Sequence, residues 1–301
     1  MLALSTAWHP RRYPLDKVFK KAKKIGFREF ELGVSAQPID PDTALDAVRR
    51  DGIQITSIHA VCSRRAIPRA NKRGDWVADL DAGRRRAGID CIRETLDIAR
   101  EAGARAVVLH GGVVPVPNHS KRQFRLYEMV AGRGPEGERE RVLSDLLNDR
   151  ARAAPACLDA LAASLEELCA HAPDIILALE NRYYAAELPL DREFDELFDR
   201  VDAPNLRYWH DVGHAHILEK IGLFDHLALL HRQRDRLVGV HLHDIQGFDD
   251  HRPPGTGDFD FAALKEYLRP DVLRVLEMGA DLSARSIRRG AQHLATAYGI
   301  T

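Results

Sequence analysis

The chain has 301 residues, 45% of them hydrophobic and 30% charged, with 44 Lys and Arg against 45 Asp and Glu for a formal net charge of -1. This mixture excludes a disordered chain, a collagen and a coiled coil, and its neutrality argues against a surface that is one field for polyanions. No apolar run approaches the roughly 18 to 20 residues of a spanning helix, and the stretch Met1 to Trp8 is too short and wrongly flanked for a secretory signal, so a cytoplasmic protein without a membrane partner is expected.

Taken in chain order, short apolar runs rich in β-branched residues alternate with helical periodicity. LALST begins at Leu2 and is followed by STAWHPRR, which lacks the Gly-rich turn of a dinucleotide-binding open sheet. LDKVFKKAKKIGF then reads as a helix before the second strand, EFELGV from Glu29, and the third, IQITSIHA from Ile53. The segment Arg64 to Arg86 follows, with eight basic residues (Arg64, Arg65, Arg69, Lys72, Arg73, Arg84, Arg85, Arg86) against Asp75, Asp79 and Asp81. A helix over IDCIRETLDIAREAGA leads to AVVLHGG from Ala106. Residues 112 to 154 read as one long insertion after this fourth strand, of the kind that forms lids or substrate-binding elements. CLDALAASLEELCAHA gives a helix before IILALE from Ile175; LRYWHD from Leu206 and LVGVHLHD from Leu237 follow, and FAALKEYL reads as a helix before VLRVLEMG from Val272. Eight strands alternating with eight helices predict a single-domain (β/α)8 TIM barrel over residues 1 to 301, with the insertion and the basic segment on its catalytic face.

Six strands end in a side chain suited to metal binding or acid-base work: His59, His110, Glu180, Asp211, His241 and Glu277. Singly, His59 or His110 reads as a hydrogen-bonded structural histidine, and Glu180 or Glu277 as half of an ion pair, with Arg182 at hand. Six such ends are harder to explain separately, because a buried charge is costly unless paired or bound to metal, and in a barrel the strand ends form one ring. His214, three residues after Asp211, and the D-x-H pair Asp249 and His251 extend the ligand set. His243 shares a strand face with His241 and is expected, with Arg182, to meet substrate. Nitrogen and carboxylate donors suit Zn2+, Mn2+, Co2+ or Fe2+. Cys62, Cys91, Cys157 and Cys169 are read as reduced packing residues, and His9, His119, His171, His216, His226, His231 and His293 as surface or packing residues.

HGG, ENR, HDVGHAH, HLHD, DDHRPPGTGDFDF and LEMG, in this order, resemble the xylose isomerase-like TIM barrels, particularly the sugar phosphate isomerase/epimerase group. The resemblance implies a metal-dependent sugar or sugar-phosphate isomerase or epimerase acting through an enediolate. Glu180, Asp211, His241 and Glu277 would hold the ion, with Glu180 and Glu277 as the acid-base pair. A Lys that the group carries two residues after the strand-seven His is His243 here. The related zinc AP endonucleases hold three zinc ions with a pattern that maps to His59, His110, Glu180, Asp211, His214, His241, Asp249, His251 and Glu277. The resemblance thus provides for one to three divalent ions per chain, a carbohydrate substrate and a homo-oligomer; a phosphodiesterase is the alternative, disfavoured as a nucleic-acid partner by the neutral charge.

Overall fold

The computed structural model describes residues 1–8, 13–34, 39–71 and 73–301; His9, Lys72 and the side chain of Arg69 lie outside the described residues. Eight parallel strands close a barrel: β1 (Leu2–Ser5), β2 (Glu29–Leu32), β3 (Gln54–His59), β4 (Ala106–Leu109), β5 (Ile176–Glu180), β6 (Leu206–Asp211), β7 (Leu237–Leu242) and, after a two-stranded hairpin of β8 (Asp244–Gln246) and β9 (Asp249–Arg252), β10 (Leu273–Leu276). The order around the barrel is β1, β10, β7, β6, β5, β4, β3, β2, as successive right-handed crossovers require. Outside lie α1 (Leu15–Lys24), α2 (Pro41–Asp51), α3 (Ala82–Ala102), α4 (His119–Val130), α5 (Glu138–His171), α6 (Glu193–Arg200), α7 (Val212–Lys220), α8 (His226–Arg232) and α9 (Ala284–His293). Asp40, Asp81, Asp211, Asp225 and Ser283 cap their helices with a side-chain acceptor.

Two cores result. The larger lies between strands and helices; the smaller fills the barrel, where Trp209 is surrounded by Ala3, Ala106, Val108, Ala178 and Val275. Gly239 makes room for the indole, since a Cβ there would stand 2.0 Å from Trp209 Cζ3. One large ring among small neighbours plugs the barrel, so the mouth above it has a solid floor.

Two elements differ from the sequence reading. The insertion is mostly helix: residues 138 to 154 run unbroken into α5, which spans 34 residues with Pro155 inside it. Leu146, Arg150, Ala154, Leu158 and Leu161 form its buried stripe at spacings of three or four, which is a helical face the Arg- and Glu-rich composition disguised. FAALKEYL makes only a 3-10 turn over Phe261–Leu264, because Phe261 and Leu264 anchor it at once and the chain must return to β10.

Among its described residues the basic segment is not a continuous cationic track. Arg64 pairs with Asp42 and Glu101, Arg65 with Glu94, Arg84 with Asp79, and Arg86 with Asp90 and Glu167, while Arg85 donates to the Asp79 carbonyl. Arg84, Arg85 and Arg86 belong to the first turns of α3, and among the described residues of the segment Arg73 alone lines the cavity at the barrel mouth.

Candidate metal centre

Strand side chains alternate with period two, so a residue two beyond an interior apolar one faces the same interior. Val108 precedes His110, Ala178 precedes Glu180, Trp209 precedes Asp211, Gly239 precedes His241 and Val275 precedes Glu277 in this way. All five apolar members touch or belong to the barrel core. The parity that packs the barrel therefore raises a ring of ionisable groups above its floor.

At the centre is His241, fully buried, its ring edge-on to Trp209 at 5.0 Å between centroids. Its Nδ1 lies 2.6 Å from Glu180 Oε1, 3.1 Å from Glu277 Oε2 and 3.6 Å from Asp211 Oδ2. Donor atoms of all four residues lie within 4.8 Å of one another. Glu180 and Asp211 are also fully buried, and Glu277 is 6% exposed. Burial alone would raise the Glu180 carboxyl, but hydrogen bonds from His110, His241 and His59 and the charge of Arg182 hold it well below the usual range. Burial opposes protonation of His241 in the same way, yet Glu277, Glu31, Asp211 and Glu180 draw its pKa well above the ordinary value. Four buried carboxylates around one imidazole thus demand positive charge, and the three on its Nδ1 side give, with that nitrogen, a donor set of one nitrogen and three oxygens that fits a divalent ion.

His241 and Asp211 are oriented from behind. His241 Nε2 donates to Glu31, at 3.1 and 3.2 Å from its two oxygens, and Ser57 Oγ donates to the same carboxylate at 2.9 Å. Asp211 Oδ1 accepts from the His214 N–H at 2.8 Å as the cap of α7, and Asn181 clamps the Asp211 backbone by accepting from its N–H and donating to its carbonyl, both at 2.8 Å. His243 accepts the His251 N–H on Nδ1 at 2.9 Å, which leaves Nε2 to donate to Asp211 at 3.1 Å. Gly213 is required beside it, because a Cβ there would lie 2.1 Å from His243 Cε1. Asp244 accepts the backbone N–H groups of Gly255, Thr256 and Gly257 on one oxygen and those of Ile245 and Phe259 on the other, fixing the PPGTG loop.

Two further clusters flank the four. Glu180 Oε2 faces His110 Nε2 at 3.3 Å and His59 Nε2 at 3.5 Å, with Arg182 Nη1 at 2.5 Å on the same oxygen. On the other side Asp211, His214 and His251 bring their donors together. His251 has φ of 55°, a left-handed conformation that turns its ring between Asp250, at 2.9 Å, and Glu277, at 3.6 Å. A cavity of about 400 Å³ opens over these groups, walled by Tyr183, Tyr184, Arg73, Arg182 and Met278. The insertion braces that wall from outside: Gln123 of α4 donates to the Tyr183 carbonyl and accepts from the Ala185 N–H, both at 2.8 Å.

The structure brings together Glu180, Asp211, His241, Glu277, His59, His110, His214 and His251 as the sequence suggested. Asp249 is the exception. It lies outside the cluster, largely exposed and ion-paired with Arg252, while its neighbour Asp250 turns inward toward His214 and His251. His243 is a correction too: fully buried, it stands behind Asp211 and does not line the cavity. Arg182 does line it, but its guanidinium is committed to Glu180 and Glu187. Glu31, next to last in β2 and in register with Ser57 of β3, was missed, and so was Asp75, 3.5 Å from His110 Nδ1.

Replacing Glu31 with Gln keeps its size and removes the charge behind His241. We expect divalent-ion affinity to fall by about 10- to 100-fold, measured by calorimetric titration with Mn2+; an unchanged affinity would show that Glu31 does not tune the ligand.

The chain belongs to the xylose isomerase-like TIM barrel family, whose profile matches residues 19–296. It is 27% identical over 263 residues to the 3-dehydro-D-guloside 4-epimerase of Escherichia coli (strain K12), covering 84% of this chain and 81% of that protein. Among solved structures, D-allulose 3-epimerase from Methylomonas sp. in complex with D-allulose superposes with a TM-score of 0.67 at 16% identity, over 100% of this chain and 96% of that one. The IOLI protein with a bound zinc atom gives 0.64 at 15% identity, over 99% and 98%. No helix among the described residues is long and apolar enough to cross a membrane.

Proposed function

We propose that the protein is a metal-dependent sugar isomerase or epimerase that moves a proton at a carbon beside a carbonyl. The observation that carries this reading is the placement of two carboxylates, Glu180 and Glu277, on either side of His241 Nδ1, both lining the same cavity. Glu180, Asp211, His241 and Glu277 would hold the ion, which supplies Lewis acidity toward a carbonyl and its neighbouring hydroxyl. One carboxylate takes the proton from the carbon, giving an enediolate, and the other returns a proton to a second carbon or to the opposite face. His110, His241 and His59, with the charge of Arg182, hold Glu180 in its ionised form, and the Tyr183 and Tyr184 rings wall one side of the cavity. The similarity to sugar epimerases supports the same class of substrate. Among the described residues, Arg73 is the cavity's one guanidinium without a carboxylate partner, so neutral sugars rank ahead of sugar phosphates.

The two flanking clusters favour a second reading, a phosphodiesterase with several ions. Against it, Arg182 already places positive charge on Glu180 Oε2, and the arginines of the basic segment are mostly bound to neighbouring carboxylates. Incubation with Mn2+ and a panel of ketohexoses and 3-keto-glycosides in D2O should introduce deuterium at the carbon next to the carbonyl. Absence of exchange throughout the panel, together with nicking of abasic duplex DNA, would replace the first reading with the second.

A further inference from the structure

On the outer face of the barrel a separate set of metal-ligating side chains meets between α7 and α8. His216 and Glu219 are three residues apart on α7 and so share a helix face, and His226 opens α8 opposite them. Glu219 Oε2 lies 2.8 Å from His226 Nδ1 and 3.5 Å from His216 Nδ1, and donor atoms of all three are within 4.8 Å of one another. Donors sharing a tetrahedral ion at zinc bond lengths sit about 3.3 Å apart, so this spacing needs little adjustment. Both rings are braced against Phe259, at 5.5 Å for His216 and 5.7 Å for His226. Both nitrogens of His216 are buried, and neither makes a hydrogen bond to the described residues, an arrangement that costs free energy unless something else occupies them. The nearby ammonium of Lys220 is drawn off to Asp258, at 2.9 Å, and to the Gly247 carbonyl, at 3.0 Å. Asp258 also stands 3.8 Å from His216 Nε2, which leaves the surroundings net acidic.

We propose that His216, Glu219 and His226 bind a divalent ion of the zinc class, distinct from the centre at the barrel mouth. Two imidazoles and one carboxylate are a set that late first-row ions favour, with the partly exposed side of the cluster leaving room for water as a fourth ligand. Bound there, the ion clamps α8 to α7, the helix whose cap is Asp211. Sequence inspection passed over these histidines because they lie within helices, where no strand end marks them.

The test is a count of metal. Metal-free protein equilibrated with Co2+ or Zn2+ and assayed by plasma mass spectrometry should hold one equivalent more than His216→Asn and one more than Glu219→Gln. The second variant changes a side chain 34% exposed and spares the packing around Phe259. Glu277→Gln should lose a different equivalent, so that Glu219→Gln combined with Glu277→Gln loses two. If wild type, His216→Asn and Glu219→Gln hold the same number, Glu219 merely caps α8 through the His226 N–H and the proposal fails. If only Glu277→Gln leaves the count unchanged, the outer site stands and the barrel-mouth reading is what falls.

Discussion

Glu180→Gln lowers substrate proton exchange by at least about 10³-fold while the far-ultraviolet circular dichroism stays that of the wild type. The carboxylate has two oxygens with different duties: Oε1 faces His241 Nδ1 at 2.6 Å, inside the four-residue set, and Oε2 takes Arg182 at 2.5 Å with His59 and His110 beside it. An amide of the same shape keeps the packing but cannot accept a proton from carbon, and it removes one of four negative charges around His241. Arg182 retains Glu187 as a partner, at 3.3 Å, so the loss should fall on chemistry and not on folding. Deuterium incorporation by the variant, with its metal content measured in parallel, checks this. Exchange within tenfold of the wild type would remove Glu180 from the acid-base role.

The largest effect on stability is expected at the barrel floor. Trp209→Ala should cost about 3 to 5 kcal/mol, read as a fall in the urea midpoint with the slope unchanged. The indole is wholly buried, and its neighbours Ala3, Ala106 and Ala178 are too small and too firmly placed in closed strands to fill the space it leaves. Gly239→Ala reaches the same contact from the other side, by forcing a methyl to 2.0 Å from the ring. Because the ring also supports His241, the variant should bind divalent ions more weakly as well. A loss below about 1 kcal/mol would mean that the barrel can collapse around the gap, and that the floor is not rigid.

The strands and the ring of ionisable side chains were readable because one physical rule generates both. An apolar face of period two that ends in a charged residue of the same parity says both that the strand is interior and that its last side chain lies at the mouth; Ala178 with Glu180 and Val275 with Glu277 are instances. Glu31 escaped because EFELGV carries two glutamates and so resembles a half-solvated strand, whereas closure of the barrel buries Glu31 fully. The exchange of Asp249 for Asp250 escaped for another reason: which side of a hairpin faces inward is set by its docking on α7 and the Asp244-anchored loop, long-range facts with no local signal. His243 was assigned to substrate from its parity with His241, but β7 ends at Leu242, and the turn that follows tips the ring behind Asp211. The arginines of the basic segment could be counted but not paired, because their partners, Glu94, Glu101 and Glu167, belong to helices that only the fold brings near.

Diffraction from crystals grown with Mn2+ or Zn2+, recorded at that ion's absorption edge, tests the central claim most directly. The account predicts an anomalous peak at roughly 2.0 to 2.3 Å from donor atoms of Glu180, Asp211, His241 and Glu277 together. An empty barrel mouth in such crystals, or an ion there held without Glu180 and Glu277, would contradict it.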